Sequence, residues 1–187
     1  MAKITELPAG EPFDRTPLSA LIEEAVAPHR NFGVAIIVGY PTNRAGEPAG
    51  ERNPAIRYGL GNLIENAVDF AHSRVEIAAS WTPEEVSIII SDDGPGFAPE
   101  VVDRLGAPYV THRRPGPRGS DADETALFGL GLGFFIAKTL LERSGAKLSL
   151  INQAPPLHGA SITVTWNRED FETPLAPPPL EAAAVAS

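Results

Sequence analysis

The chain has 187 residues, room for one domain with its own core and short of what two would need. With 43% hydrophobic and 21% charged residues it has the composition of a folded protein, and its 19 Pro and 17 Gly point to long loops and a tail. A formal charge of −9 disfavours a nucleic-acid backbone or an anionic membrane as partner, and the absence of cysteine excludes disulfides, thiolate nucleophiles and Cys-ligated metals.

In chain order, residues 1–15 read as a linker. Met1 to Glu6 lacks the apolar stretch of a secretory signal, and no apolar run nears the roughly 20 residues of a spanning helix, so a cytoplasmic location is expected. A helix is predicted from Thr16, with Thr16 as N-cap, Pro17 at the first helical position and Leu18, Leu21, Ile22, Ala25 and Val26 as its buried stripe. Val34 to Val38 predicts a strand leaving into a loop broken by Gly39, Pro41, Asn43 and Gly46 and ending near Pro54. Ile56, Leu60, Leu63, Ile64, Ala67, Val68 and Ala71 then recur at helical spacing, which puts Asn62, Asn66 and Asp69 together on another face. Arg74 to Ala78 and Val86 to Ile90 predict two strands joined by a hairpin at Thr82 to Glu85. Between Asp92 and Phe128 lies a Gly-, Pro- and charge-rich loop with at most one short helix, near Glu100 to Leu105. Leu130 to Leu141 predicts a helix, Lys147 to Asn152 and Ser161 to Trp166 two more strands, and the segment from Pro174 an unfolded tail.

Three segments carry chemistry. Asn62 and Asn66 lie one helical turn apart, so two carboxamide oxygens can converge on one bound group, and a neutral oxygen suits Mg²⁺ already neutralised by phosphates. By itself this pair reads more often as a solvated face. The run Ser91-Asp92-Asp93-Gly94-Pro95-Gly96-Phe97 follows a strand directly and sets a carboxylate at a strand end beside glycines; its plain alternative is an ordinary turn. Gly129-Leu130-Gly131-Leu132-Gly133 opens a helix whose free N–H groups and positive dipole end suit phosphate. It is neither a dinucleotide fingerprint, since residues 115–121 cannot be the preceding strand, nor a Walker A loop, since Ala137 stands before Lys138-Thr139.

Together, in this order, the segments resemble the ATP-binding catalytic domain of sensor histidine kinases, within the gyrase/Hsp90/histidine-kinase/MutL ATPase superfamily. Asn62 to Ala71 matches the N box, Asp92 to Gly96 the G1 box and Gly129 to Gly133 the G2 box, with coverage from about Thr16 to Trp166. The phrases at 66–71 and 135–146 are similar to the RegB/PrrB/ActS group of redox-responsive sensors. The resemblance implies a two-layer α/β sandwich of the Bergerat type, a mixed sheet covered on one face by three helices, with a domain over 16–172, a flexible ATP lid at about 97–128 and a tail at 173–187. It implies ATP and Mg²⁺ as ligands, with Asn66 on the metal, Asn62 facing the phosphates, Phe70 and Asp92 at the adenine, Gly94 and Gly96 admitting the base, and Gly129, Gly131 and Gly133 holding phosphate.

Three departures from the family pattern qualify these roles. Asp69 stands near a position where many members carry Lys, so the phosphate charge is expected to be met by the lid cations Arg113, Arg114 and Arg118, the first two being candidate catalytic groups. Gly159-Ala160-Ser161 replaces a common Gly-Thr, leaving Ser161 or Thr163 to offer a hydroxyl near the base. Asn62 occupies the place of the general-base Glu of hydrolytic members, which favours transfer over hydrolysis.

Such kinases phosphorylate a His that is followed by an acid, with Pro four residues after the His. His29, His72, His112 and His158 precede Arg, Ser, Arg and Gly, so the acceptor is expected on a separate dimerisation domain of a membrane-anchored parent kinase, with a response regulator downstream. The alternatives are an anti-sigma-factor-type serine kinase and a nucleotide-binding module without catalysis.

Overall fold

The structure, a computed structural model, describes residues 15–31, 33–97 and 131–173. Its elements are β1 (Thr16–Pro17), α1 (Leu18–Val26), a 3-10 turn (Ala27–His29), β2 (Ala35–Gly39), β3 (Ala49–Gly50), α2 (Pro54–Phe70), β4 (Arg74–Trp81), β5 (Glu85–Asp92), α3 (Gly131–Arg143), β6 (Lys147–Asn152), β7 (Ala160–Asn167) and α4 (Arg168–Glu172). Five strands form one sheet in the order β2-β4-β5-β7-β6, with β2 parallel to β4 and the other neighbours antiparallel. The mixed sheet of the expected sandwich is therefore present.

Strand alternation decides where the core lies. Val75, Ile77 and Ala79 of β4, Val86, Ile88 and Ile90 of β5 and Ile162, Val164 and Trp166 of β7 are all buried and share one face. Against it pack Leu18, Ile22 and Val26 of α1, Leu60, Leu63 and Ile64 of α2 and Phe134, Ala137 and Leu141 of α3, in one continuous cluster. On the opposite face Ile37, Ile89 and Ile151 are exposed among Ser, Thr and charged residues. α2 begins at Pro54, as the fixed φ of proline favours, with the side chain of Asn53 accepting from the Ala55 N–H. Helices α2 and α3 run antiparallel in close contact: a Cβ on Gly59 would lie 2.6 Å from Leu141 Cγ, and one on Gly133 would lie 3.4 Å from Asn62 Oδ1.

The structure corrects several sequence expectations. Thr16 and Pro17 do not open α1. Pro17 is extended (φ −59°, ψ 148°), and the pair forms a two-residue ladder with Ala49 and Gly50 inside the segment read as one loop. α1 starts at Leu18, whose N–H bonds Pro48 O, while the Glu47 carboxylate accepts from the Ser19 N–H. An acid from the distant loop thus does the work assigned to Thr16. A fourth short helix, α4, follows β7, because Phe171 packs edge-on against the buried Trp166 ring (5.6 Å between centroids) and Arg168 donates to Thr82 O and Gly46 O. The expected short helix near 100–105, the lid and the tail lie outside the described residues.

Candidate nucleotide site

α2 carries Asn62, Asn66 and Phe70 at intervals of four residues, a single stripe along the helix. Asn62 Nδ2 donates to Tyr58 O and Asn66 Nδ2 to Asn62 O, each at 2.8 Å. One amide hydrogen of each is thereby engaged by a carbonyl of the helix itself, which leaves each Oδ1 free to act as an acceptor. Both side chains face the first turn of α3: a Cβ on Gly133 would lie 3.4 Å from Asn62 Oδ1 and 3.8 Å from Asn66 Nδ2. Two sequence segments some seventy residues apart thus meet at one edge of the helical layer. Asp69 is exposed on the same helix.

Phe70 closes α2 with 49% of its surface exposed, and beside it stands the end of β5. Asp92, only 7% exposed, is on the helix-covered face of the sheet. Its Oδ1 accepts from the backbone N–H of Gly94 (2.9 Å) and of Ala160 (3.3 Å), which leaves Oδ2 as the outward lone-pair bearer. Burial raises the carboxyl's pKa; the two N–H donors oppose the shift, the Asp93 charge adds to it and His72 lowers it. A largely buried acceptor-only group, close to the helix end that carries an exposed aromatic residue, suits a flat donor such as an exocyclic amine.

The glycines around Asp92 have structural reasons of their own. A Cβ on Gly94 would lie 2.2 Å from Phe70 O, so the turn can seat against the end of α2 only without a side chain. Gly96 has φ +81° and Gly159 φ +106°, and a Cβ on Gly159 would lie 1.9 Å from Asp92 O.

Of the predicted site residues, the structure brings together Asn62, Asn66, Phe70, Asp92, Gly94, Gly96 and Gly133, with Gly131 as the first residue of α3. Gly129, Arg113, Arg114 and Arg118 lie outside the described residues. The hydroxyl expected from Ser161 or Thr163 is not near Asp92. Strand alternation puts Ala160 on the Asp92 side, while Ser161 turns to the opposite face and bonds Ser91 Oγ at 2.9 Å, with Thr163 two residues further along that face.

Sequence reasoning also missed residues that hold the site. Asp93 accepts from the N–H groups of His72, Ser73 and Arg74 and from the Ser73 hydroxyl, which fastens the α2–β4 connection and holds its carboxyl below the usual range. Gln153 Nε2 donates to Asp92 O at 3.0 Å, and Asn152 pairs with both backbone groups of Phe97. No local signal marks Asn152 or Gln153, because their partners are 55 and 61 residues away.

Among the described residues no group of three or more His, Cys, Asp or Glu side chains could hold a metal ion. Asn62 and Asn66 offer neutral amide oxygens in this groove, donors that fit a magnesium ion whose other ligands are phosphate and water. No helix among the described residues is long and apolar enough to cross a membrane.

Residues 52–170 match the profile of the histidine kinase-, DNA gyrase B-, and HSP90-like ATPase family. The chain is 42% identical over 164 residues to the sensor histidine kinase RegB of Cereibacter sphaeroides, covering 81% of this chain and 35% of that protein. It spans about a third of the length of that relative. In fold it is similar to the nucleotide-free catalytic domain of histidine kinase ThkA (TM-score 0.59, 17% identity, 88% of this chain and 100% of that one). Full-length ShkA solved with AMPPNP is also similar (TM-score 0.59, 21% identity, 90% of this chain and 34% of that one). The chain belongs to the histidine kinase-, DNA gyrase B-, and HSP90-like ATPase family and is an ATP-binding catalytic domain of the sensor histidine kinase kind.

Proposed function

We propose that residues 16–172 bind Mg-ATP between α2, the end of β5 and the start of α3, and transfer its γ-phosphate to a histidine on a separate helical dimerisation domain. A response regulator then receives the phosphoryl group. The observation that carries this reading is the meeting of Asn62 and Asn66 with Gly133 at one edge, next to Phe70 and the buried Asp92. Asp92 Oδ2 accepts from the adenine amino group, with Phe70 against the ring. Asn66 Oδ1 ligates Mg²⁺, and Asn62 faces the phosphates beside the N–H groups at Gly129, Gly131 and Gly133. When bound, the metal neutralises charge that gathers on the phosphoryl oxygens. Arg113 and Arg114 supply further positive charge there. A carboxamide at position 62 cannot take a proton from water, so the site favours transfer over hydrolysis.

The nucleophile comes from outside, because His29, His72, His112 and His158 all lack a following acid. The test is γ-labelled ATP with the chain alone and with the dimerisation domain of its parent kinase. Label is expected to stay on nucleotide in the first case and to move in the second to the added domain, as an acid-labile, base-stable phosphate. Label on this chain alone overturns the reading. Label on a Ser of another partner points to the anti-sigma-factor type of kinase instead.

A further inference from the structure

Beyond the residues that touch nucleotide, the connection from β6 to β7 holds the turn that carries the base-recognising carboxylate. At the end of β6, Asn152 bonds the main chain of Phe97 twice. Its Oδ1 accepts from the Phe97 N–H at 2.7 Å and its Nδ2 donates to Phe97 O at 2.8 Å. One side chain thus stands in for a strand residue, giving Phe97 the two bonds of a ladder pair. Gly96 makes room for it, since a Cβ there would lie 2.7 Å from Asn152 Oδ1. The next residue, Gln153, takes the other end of the turn: its Nε2 donates to Asp92 O at 3.0 Å and to Ala160 O at 3.4 Å, while its own N–H bonds Gly159 O at 2.9 Å. Ala160 is also the residue whose N–H holds Asp92 Oδ1.

We infer that Asn152 and Gln153 are positioning residues for nucleotide base selection, fixing the 92–97 turn at both ends so that Asp92 Oδ2 stays aimed at the base. The inference rests on the assignment of Asp92 to the adenine amino group. Its physical content is that Asp92 carries its charge in a pocket that disfavours it, and the direction of its free oxygen depends on two N–H donors, at Gly94 and Ala160. Gly94 moves with the turn that Asn152 anchors, and Ala160 with the carbonyls that Gln153 joins. Releasing either anchor lets the carboxylate swing by more than hydrogen-bond geometry tolerates. Neither side chain has to touch nucleotide for this.

The test is the ratio of ATP to GTP affinity, measured by calorimetry with Mg²⁺ on the full chain and on Asn152→Ala, Gln153→Ala and Asn152→Asp, alongside thermal unfolding. A ratio separates positioning from stability, because partial unfolding lowers the affinity for both nucleotides by one factor. Asn152→Asp is matched in size and lies on an exposed strand end; it keeps the acceptor for the Phe97 N–H but sets an oxygen against Phe97 O. The expected result is a wild-type preference for ATP of at least about tenfold that falls by threefold or more in each variant, as the buried carboxylate loses its aim. An unchanged ratio in folded Asn152→Asp and Gln153→Ala overturns the inference. A wild-type chain that binds ATP and GTP equally overturns the assignment of Asp92 itself, and is seen before any variant is made.

Discussion

At the end of β5 two consecutive carboxylates point to opposite sides of the strand, Asp92 into the helix-covered face and Asp93 toward the backbone at 72–74. Burial raises the pKa of Asp92, so its ionised form costs stability: the fold gains least from it above the raised value and most below the unfolded value near 4. Asp92→Asn should therefore be no less stable than wild type at pH 7 while binding ATP at least about tenfold more weakly, as calorimetry and thermal unfolding would show. For Asp93 the sign reverses. Its pKa is lowered, chiefly by the Ser73 hydroxyl and N–H, so its contribution is present above the unfolded value near 4 and lost as pH falls through the folded one. Asp93→Asn should cost about 1 kcal/mol at pH 7, the group being solvent-screened, and the difference should shrink below pH 4 in a pH series of unfolding midpoints. Asn66→Ala removes one part-buried side-chain bond to a helix carbonyl and the proposed metal ligand. Mg-ATP affinity should fall about tenfold or more, with little effect on binding measured in excess EDTA.

α2 offers two glycines two residues apart with opposite expectations. Gly59 faces α3, where a Cβ would lie 2.6 Å from the fully buried Leu141, so Gly59→Ala overpacks the helix pair and should destabilise the fold by about 1–3 kcal/mol. Gly61 has nothing within 4 Å of where its Cβ would be, so Gly61→Ala relieves the entropy cost of glycine in a helix and should stabilise by about 0.5–1 kcal/mol. Denaturant unfolding of the two variants checks both signs. Equal effects would mean that α2 and α3 do not pack as described. The start of α1 teaches the same lesson at another element: the sequence pattern Thr16-Pro17 is that of a helix cap, yet the ladder with Ala49 and Gly50 competes for those residues and wins.

Across the described residues, helices cover one face of the sheet, and the proposed nucleotide groove lies at the edge of that layer rather than inside it. A ligand there bridges α2, β5 and α3, which otherwise meet through side-chain packing, so binding should stabilise the chain as a unit. Mg-ATP at 100 times its dissociation constant should add about 2.7 kcal/mol, read as a rise in Tm of several degrees that Asn66→Ala reduces. The same ligand without transfer should persist on the isolated chain, since the acceptor histidine lies elsewhere in the proposed parent kinase.

The sequence by itself determined the element types and most of their bounds, because apolar periodicities of 3.6 and 2 are written in consecutive residues such as Ile56 to Ala67 and Val86 to Ile90. It also marked Asn62, Asn66, Asp92 and the glycine run, since each group is contiguous along the chain. Only the tertiary structure decided what holds them. Asp93 fastening 72–74, Glu47 serving α1, Gly159 yielding to Asp92 O, and Asn152 and Gln153 gripping the 92–97 turn all join residues 19 to 67 positions apart. The same is true of the face to which Ser161 turns, which follows from β5–β7 pairing rather than from its neighbours in the chain. Local pattern reports what a segment can become, whereas long-range hydrogen bonds and close backbone approach exist only once the chain has closed on itself.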